Sequence, residues 1–357
     1  MPSLPTRKIG NTEVTAIGWG GMGLSAFYSK PLPDEERFKL LDAVYERGCT
    51  NWDTADVYGD NEDLIGQWLK RTGKRNEIFL ATKFGFVFSS DRIVNGSPEY
   101  VRQSIDKSLK RLGVDYVDLY YLHRPDPSVP IEKTVGAMAE AVKEGKVKYL
   151  GLSECSAETL RRAHAVHPIA ALQVEYSPFT LDIEDEKLGL FKTAKELGIT
   201  VIAYSPLGRG LITGQYKGPE DFEEGDFRRQ IARYSKENFP NILKLADGLK
   251  KIGERHNATA GQVALAWLLA QGDNVIPIPG TTKVKVGSLV LTFLRHLFLN
   301  VFLSMQYLEE NLGAVNVKLS AEELEEVRKV AERADAAQGL RYPESFMAVQ
   351  FADTPAL

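Results

Sequence analysis

Four side chains in the sequence have types and spacing that suit acid–base chemistry. Asp53 and Tyr58 lie five positions apart, Lys83 ends the next apolar run, and His123 ends the run after it. A tyrosine hydroxyl has an ordinary pKa of about 10, but a neighbouring lysine cation would stabilise the tyrosinate and lower that pKa. An aspartate would hold the lysine in place, and a histidine would hydrogen-bond a substrate oxygen. Together they indicate a proton donor aimed at a carbonyl oxygen while a hydride reaches the carbon.

Such a cluster needs elements that bring distant residues together, and the hydrophobic pattern predicts them. Short apolar runs predict strands at residues 14–20, 49–53, 77–83, 117–123, 147–153, 170–174, 199–205 and 274–280. Helical patterns cover residues 34–47, 61–71, 98–112, 131–144, 156–165, 185–197, about 241–271 and 320–335. This α/β alternation predicts parallel strands with helical crossovers. Eight units in about 300 residues favour a (β/α)8 TIM barrel over an open, doubly wound sheet.

Two additions to the barrel are predicted at its ends. Residues 8–14 indicate an N-terminal β-hairpin that turns at Gly10 and Asn11. Ser320 and Glu323 form a capping box at the start of an extra C-terminal helix.

A single barrel domain over residues 1–357 is therefore expected, apart from an anomalous segment at 286–306. The charge-rich stretch 217–240 shows weak periodicity and predicts a mobile loop over one face of the barrel.

Composition excludes several classes of protein. The chain has 357 residues, of which 43% are hydrophobic and 26% charged, and this excludes a disordered or collagen-like chain. The net charge of −4 gives no basic footprint for nucleic acid. Cys49 and Cys155 are the only cysteines, which excludes a disulfide framework and a CxxC metal site. The first residues lack the apolar core of a secretory signal, so a cytoplasmic location is expected and a membrane partner is not.

In TIM barrels, chemistry takes place where the strands end at their carboxyl side. A polar or titratable residue ends almost every predicted strand. These residues are Asp53, Lys83, His123, Ser153, Glu154, Tyr204, Ser205 and, after the last strand, Gly280, Thr281, Thr282 and Lys283. One such residue alone is more often a cap or a solvated loop residue, but the combination of four acid–base side chains is not explained in that way.

Several stretches of the sequence resemble the aldo-keto reductase superfamily. They are NWDTADVYG (51–59), ATKFG (81–85), LYYLHRPDP (119–127) and AYSPLGRGLITG (203–214). The resemblance extends from the N-terminal hairpin to Asn316. The stretches HRPDPSVPIE, GLSECS and HPIAALQVEYS are most similar to the pyridoxal-reductase-like and plant-reductase-like branch. The resemblance implies reduction of aldehydes or ketones to alcohols, with NADPH bound in an extended form and no metal.

The resemblance also implies a role for individual residues. Tyr58 would be the general acid, Lys83 and Asp53 would adjust its pKa, and His123 would orient the substrate. The residues implied at the nicotinamide end of the cofactor are Gly21 and Met22 beside it, Ser153, Glu154 and Gln173 at the carboxamide, and Tyr204 on the ring. The residues implied along the rest of the cofactor are Ser205, Leu207, Arg209 and Gly210 at the pyrophosphate, Gly280, Thr281, Thr282 and Lys283 at the 2′-phosphate, and Glu310 and Asn311 at the adenine. Glu154 stands where many relatives have asparagine.

The segment 286–306, VGSLVLTFLRHLFLNVFLSMQ, does not fit the alternating pattern. Arg295 and His296 at its middle disfavour a membrane-spanning helix. Its removal would join GTTKVK to YLEENLGA, as the resemblance implies. It begins with Val, whose codons start with GT, and ends with Gln, one codon of which is CAG. We therefore interpret it as a short intron translated in frame; a hydrophobic arm for a partner or a membrane surface is the alternative.

Two alternatives to a reductase remain open from the sequence. One is an NADPH-binding regulatory subunit, because potassium-channel β subunits share the scaffold and retain the four acid–base residues. The other is a form whose cofactor binding is impaired, because 286–306 separates the implied 2′-phosphate residues from Glu310 and Asn311.

The glycines of GWGGMG (18–23) match the Rossmann fingerprint GxGxxG only formally, since two prolines precede the next predicted helix.

The fold does not determine the substrate. Specificity is expected from the stretch 217–240, the segment after Phe84 and the tail 336–357. Arg124, directly after His123, is a candidate for contacting a polar or anionic substrate group. Pyridoxal and aromatic aldehydes both remain candidate substrates, and the oligomeric state stays open.

Overall fold

A computed structural model describes residues 4–28, 31–87, 92–281 and 307–357. The chain begins with an antiparallel hairpin of β1 (Thr6–Ile9) and β2 (Thr12–Thr15). It turns at the predicted Gly10, whose φ of +56° lies in the left-handed region that glycine tolerates. The predicted hairpin is therefore confirmed.

Eight further strands within the described residues form one parallel sheet in which neighbours in the sheet are also neighbours along the chain. They are β3 (Trp19–Gly20), β4 (Asn51–Asp53), β5 (Phe79–Phe84), β6 (Val117–Leu122), β7 (Val147–Ser153), β8 (Ile169–Glu175), β9 (Thr200–Tyr204) and β10 (Val275–Pro277). Two backbone hydrogen bonds connect the first strand to the last: Gly18 N–H donates to Pro277 (2.9 Å) and Gly20 N–H to Pro279 (3.3 Å). The predicted (β/α)8 barrel is confirmed.

The first barrel strand differs from the prediction. The apolar run 14–20 was expected to be one strand, but its first two residues belong to β2 and only Trp19 and Gly20 belong to the barrel. Ile9 and Val14 of the hairpin instead belong to the same buried hydrophobic cluster as Ile202 and Ile276 of the barrel strands. The apolar residues of this run are therefore buried in two different elements, the hairpin strand β2 and the barrel strand β3.

Helices follow the strands and cover the outside of the barrel. They span Asp34–Glu46, Asn61–Thr72, Pro98–Leu112, Ile131–Lys143, Ala157–Val166, Leu190–Glu196, Phe239–Glu254, Ala260–Ala270, Ala321–Ala334 and Glu344–Met347, and residues 307–313 are also helical. The predicted capping box is present, because Ser320 accepts from Glu323 N–H while the Glu323 carboxylate accepts from Ser320 N–H. The helix predicted at 185–197 is shorter because Gly189, at φ +57°, precedes its first turn.

The stretch 217–240, predicted as a mobile loop, contains three short 3-10 helices. Phe222, Ile231 and Tyr234 of this stretch are buried. The absence of helical periodicity therefore reflects irregular but packed structure.

Among the described residues, no helix is long and apolar enough to cross a membrane. The segment 286–306 lies outside the described residues, as do Thr282 and Lys283.

Candidate active site

The four acid–base residues predicted from the sequence meet at the carboxyl end of the barrel. Asp53 ends β4, Lys83 lies on the neighbouring β5, and His123 follows β6. Tyr58 lies on the loop after β4, and its ring contacts the His123 ring edge-on at 5.8 Å between centroids. All four side chains are buried, and Lys83 has no exposed surface.

Lys83 connects the cluster through its ammonium group. Nζ forms an ion pair with Asp53 Oδ1, donates to the carbonyl oxygen of Thr54 at 2.8 Å and lies 3.4 Å from the hydroxyl of Tyr58. Gln173 of β8 holds the other oxygen of Asp53, because its Nε2 donates to Oδ2 at 2.8 Å. Burial raises the pKa of Asp53 and lowers that of Lys83, and the attraction between the two charges opposes both shifts.

The pKa of Tyr58 is shifted in the direction opposite to the sequence-based expectation. Lys83 and Asp53 were expected to lower it, but burial of the hydroxyl raises the pKa well above 10 and the Asp53 charge raises it further. Arg124 opposes this shift. The expectation was wrong because it counted the lysine and omitted both the burial and the negative charge that accompanies the lysine. The hydroxyl therefore keeps its proton throughout the neutral range.

His123 is held as a neutral imidazole. Burial and the charges of Lys83 and Arg124 lower its pKa well below 6.5. Phe86 contacts the ring edge-on at 4.6 Å between centroids. Nδ1 is buried and has no hydrogen-bond partner among the described residues.

A pocket extends from this cluster across the mouth of the barrel. Asp53, Tyr58 and His123 line one part of it, while Lys83 lies beneath the surface. Most residues expected at the cofactor also line it. These are Met22, Ser153, Gln173, Tyr204, Ser205, Leu207, Arg209, Gly210, Gly280, Thr281, Glu310 and Asn311.

The turn after β9 directs Arg209 into this pocket. Arg209 has a φ of +57° and the following Gly210 a φ of +89°, so the chain reverses tightly at this point. A left-handed conformation is strained for a non-glycine residue and persists only where neighbours hold it. Arg228 does so, since its Nη1 donates to the Arg209 carbonyl oxygen at 2.9 Å.

The sequence model of the aldo/keto reductase family matches residues 16–291. The chain is 60% identical over 340 residues to aldo-keto reductase str7 of Strobilurus tenacellus, covering 94% of each chain. It is 49% identical over 358 residues to an aldo-keto reductase of Schizosaccharomyces pombe, yakc, whose name includes NADP(+), covering 99% of this chain and 98% of that one. The chain belongs to the aldo/keto reductase family.

Solved aldo-keto reductases and a related dehydrogenase have the same architecture. The thermostable aldo-keto reductase Tm1743, crystallised with the inhibitor epalrestat, is 30% identical with a TM-score of 0.68, covering 92% of this chain and 100% of that one. The glycerol dehydrogenase AKR11B4 of Gluconobacter oxydans is 25% identical with a TM-score of 0.76, covering 92% of this chain and 95% of that one. Family membership thus agrees with the resemblance found in the sequence; its branch stays a prediction.

Two of the residues expected at the cofactor, Gly21 and Glu154, do not line this pocket of the aldo-keto reductase. A Cβ on Gly21 would meet Asn61 Oδ1 at 2.8 Å, so this glycine permits close packing inside the protein. Glu154 is fully buried, and its carboxylate binds protein groups: Arg341, Arg124 at 3.1 Å, and the hydroxyl of Tyr204 at 2.8 Å. Thr282 and Lys283 lie outside the described residues.

Sequence reasoning missed several groups at the pocket of this aldo-keto reductase. Glu175 at the end of β8 is buried 3.5 Å from Arg209, and Arg341 of the C-terminal tail is buried against Glu154. Tyr342 and Phe346 of the tail line the pocket. The tail and the stretch 217–240 were expected to set specificity, and both contribute pocket residues. Their individual side chains could not be chosen, because no local pattern shows which of them fold inward.

Proposed function

We propose that this aldo-keto reductase reduces aldehydes or ketones to alcohols with NADPH, and that Tyr58 is its general acid. The observation that carries the proposal is the buried hydroxyl of Tyr58, which lies 3.4 Å from Lys83 Nζ and faces the pocket. The NADP(+) in the name of the Schizosaccharomyces pombe relative supports the choice of cofactor.

The described pocket fits an extended dinucleotide. It extends from Tyr58 past Tyr204 to Thr281 and Asn311, so polar groups are available along its whole course. Thr281 Oγ1 and Arg209 Nη1 are buried without a hydrogen-bond partner among the described residues. Buried polar atoms are normally paired, so these two atoms beside the pocket fit a ligand with polar groups.

NADPH, when bound, would supply the hydride. Ser153 and Gln173 would hold its nicotinamide amide and Tyr204 would lie against the ring. Gln173 also donates to Asp53, so its orientation is fixed before any ligand binds. Ser205, Leu207, Arg209 and Gly210 would follow the pyrophosphate, and Glu310 and Asn311 would lie at the adenine. Glu154 would act only through Tyr204, whose hydroxyl it holds.

In the proposed reaction Tyr58 donates its proton to the carbonyl oxygen. The raised pKa means that the donor is fully protonated before reaction. The ammonium of Lys83 lies where it stabilises the phenolate that forms, and Asp53 keeps that ammonium in position. The neutral His123 hydrogen-bonds the carbonyl oxygen and orients the substrate.

A fluorescence titration of the full-length protein with NADPH tests the proposal. We expect saturable enhancement of the nicotinamide emission, followed by turnover of a panel of aldehydes that includes pyridoxal. Turnover of pyridoxal would also support the branch suggested by the sequence. Tight NADPH binding with negligible turnover of every aldehyde would contradict the enzyme proposal and favour a regulatory subunit.

The pH profile of reduction follows from the two shifted pKa values. Because the pKa of Tyr58 is raised above 10 and that of His123 is lowered below 6.5, neither group changes charge between these limits. We therefore expect kcat/KM for an aldehyde at saturating NADPH to stay constant from about pH 6.5 to 9. A loss of rate centred between pH 7 and 9 that persists in Asp56→Asn would contradict this assignment. Burial and the nearby Glu62 raise the pKa of Asp56 to about 7, so a shallow inflection that Asp56→Asn abolishes would belong to Asp56.

Deletion of 286–306 is expected to strengthen NADPH binding by about tenfold or more, equivalent to about 1.4 kcal/mol. Thr281 and Tyr307 flank the undescribed stretch and line the same pocket as Glu310 and Asn311. The deletion shortens the chain between Thr281 and Tyr307, and a shorter connection loses less conformational entropy when a ligand orders it. Dissociation constants of the two forms, measured side by side, check this; equal constants would refute it.

Transcript reads test the proposed intron, and the intron is excluded if every spliced message retains these codons.

A further inference from the structure

Three buried arginines surround one tyrosine ring at the pocket. The guanidinium carbons of Arg124, Arg209 and Arg341 lie 5.2, 4.9 and 5.5 Å from the centre of the Tyr342 ring. Each arginine is almost completely buried. Because burying a cation is costly unless it is paired, such a concentration of positive charge requires compensating carboxylates or an anionic ligand.

The protein supplies only part of this compensation. Among the described residues, Glu154 and Glu175 are the carboxylates paired with the three guanidinium groups, which leaves one positive charge in excess. Arg124 carries part of this excess. Its nearest carboxylate oxygen, Glu154 Oε2, is also held by Arg341. Arg124 Nε is buried and has no hydrogen-bond partner among the described residues.

Arg124 also differs from Arg341 in its access to ligands. Arg124 lines the pocket directly after His123, whereas Arg341 is 1% exposed and lies behind it. The neighbouring walls are aromatic, since Phe86 contacts both His123 and Phe346. This part of the pocket therefore combines the incompletely paired guanidinium group of Arg124 with apolar surfaces, beside the proposed position of the substrate carbonyl group.

We propose that the pocket selects aldehydes or ketones that carry a carboxylate on an aromatic or apolar body, and that Arg124 binds this carboxylate. A guanidinium group pairs with the two oxygens of a carboxylate through parallel hydrogen bonds. A singly charged carboxylate also costs less to bury than a phosphate dianion. This inference rests on the proposed reductase function and specifies its substrate class.

The excess charge could instead serve the phosphates of the cofactor. Arg209 belongs to the turn expected along the pyrophosphate, so Arg209 is the arginine that would bind the phosphates. Arg124 lies next to His123 and close enough to Tyr58 for its charge to oppose the rise in the pKa of that hydroxyl. This position assigns Arg124 to the substrate.

Matched substrates that differ by one charge test the inference. The probes are 3- and 4-formylbenzoate, each compared with its methyl ester. For the wild-type protein we expect kcat/KM for at least one formylbenzoate to exceed that for its ester by about 10- to 100-fold, the range of a charge-assisted hydrogen bond. Arg124→Gln should reduce this ratio to about one and Arg124→Lys should keep part of it. Arg102→Gln, which removes an exposed ion pair with Glu140, should leave the ratio unchanged.

A binding measurement makes the test independent of turnover and of the variants. By calorimetry, benzoate should bind the wild-type protein at least about tenfold more tightly than the isosteric benzamide. Equal binding of the two, or equal kcat/KM for acid and ester, overturns the inference. It is also overturned if Arg124→Gln weakens NADPH binding while the preference for the acid persists. If benzoate is preferred but no aldehyde is reduced, the carboxylate site stands and the proposed reductase function fails.

Discussion

Replacing Tyr58 by phenylalanine should lower kcat for aldehyde reduction by about 10²- to 10⁴-fold, the usual contribution of a positioned general acid. The substitution removes only the hydroxyl that lies 3.4 Å from Lys83 Nζ. The ring keeps its edge-on contacts with Phe27 and His123, at 6.2 and 5.8 Å between centroids. We therefore expect the dissociation constant for NADPH to change by less than about twofold, well below a 1.4 kcal/mol change.

The matched control for this variant is Tyr120→Phe. Tyr120 is also a buried tyrosine at this end of the fold, stacked on Phe84, and its hydroxyl has no partner among the described residues. Loss of that hydroxyl should leave kcat and NADPH binding as they are. Steady-state rates and fluorescence titrations on both variants measure the two effects separately. Full activity of Tyr58→Phe would remove the basis for the proposed mechanism.

The residues that the sequence identified best are those at strand ends. The barrel follows from a repeated local pattern, and once the barrel is predicted, Asp53, Lys83 and His123 must point to the same end because parallel strands share a direction. The boundary between β2 and β3 could not be predicted in this way. The apolar residues of 14–20 give the same sequence pattern whether they belong to the hairpin or to a barrel strand.

Electrostatic balance was the main property that the sequence could not provide. The Lys83–Tyr58 pair suggested a lowered pKa for the hydroxyl, but the sign depends on burial and on Asp53, which are tertiary properties. Similarly, the resemblance to the family implied that Glu154 binds the cofactor. Its partner Arg341 is 187 residues away along the chain, and no spacing rule connects the two.

Because of this pairing, Glu154→Gln should lower the free energy of unfolding by about 3–5 kcal/mol at pH 7, the usual cost of breaking a buried ion pair. The change is nearly isosteric, but it leaves the guanidinium groups of Arg341 and Arg124 facing each other without their shared carboxylate. Urea denaturation of the two proteins measures the difference. The same Glu→Gln change at Glu140, whose pair with Arg102 is exposed, should cost less than about 1 kcal/mol.

The pH dependence of this difference in the free energy of unfolding distinguishes the loss of the Glu154 charge from a change in packing. Burial opposes ionisation of Glu154, yet the attraction of Arg341 and Arg124 and the hydrogen bond from Tyr204 hold its pKa below the ordinary value. A carboxylate with a lowered pKa stabilises the folded state above its unfolded pKa of about 4.3, and this stabilisation disappears as acid protonates the folded protein. The gap between wild type and Glu154→Gln should therefore be complete at pH 7 and narrow progressively below about pH 4.3. A gap that is constant down to pH 3 would mean that packing, and not the charge on Glu154, stabilises this part of the barrel mouth.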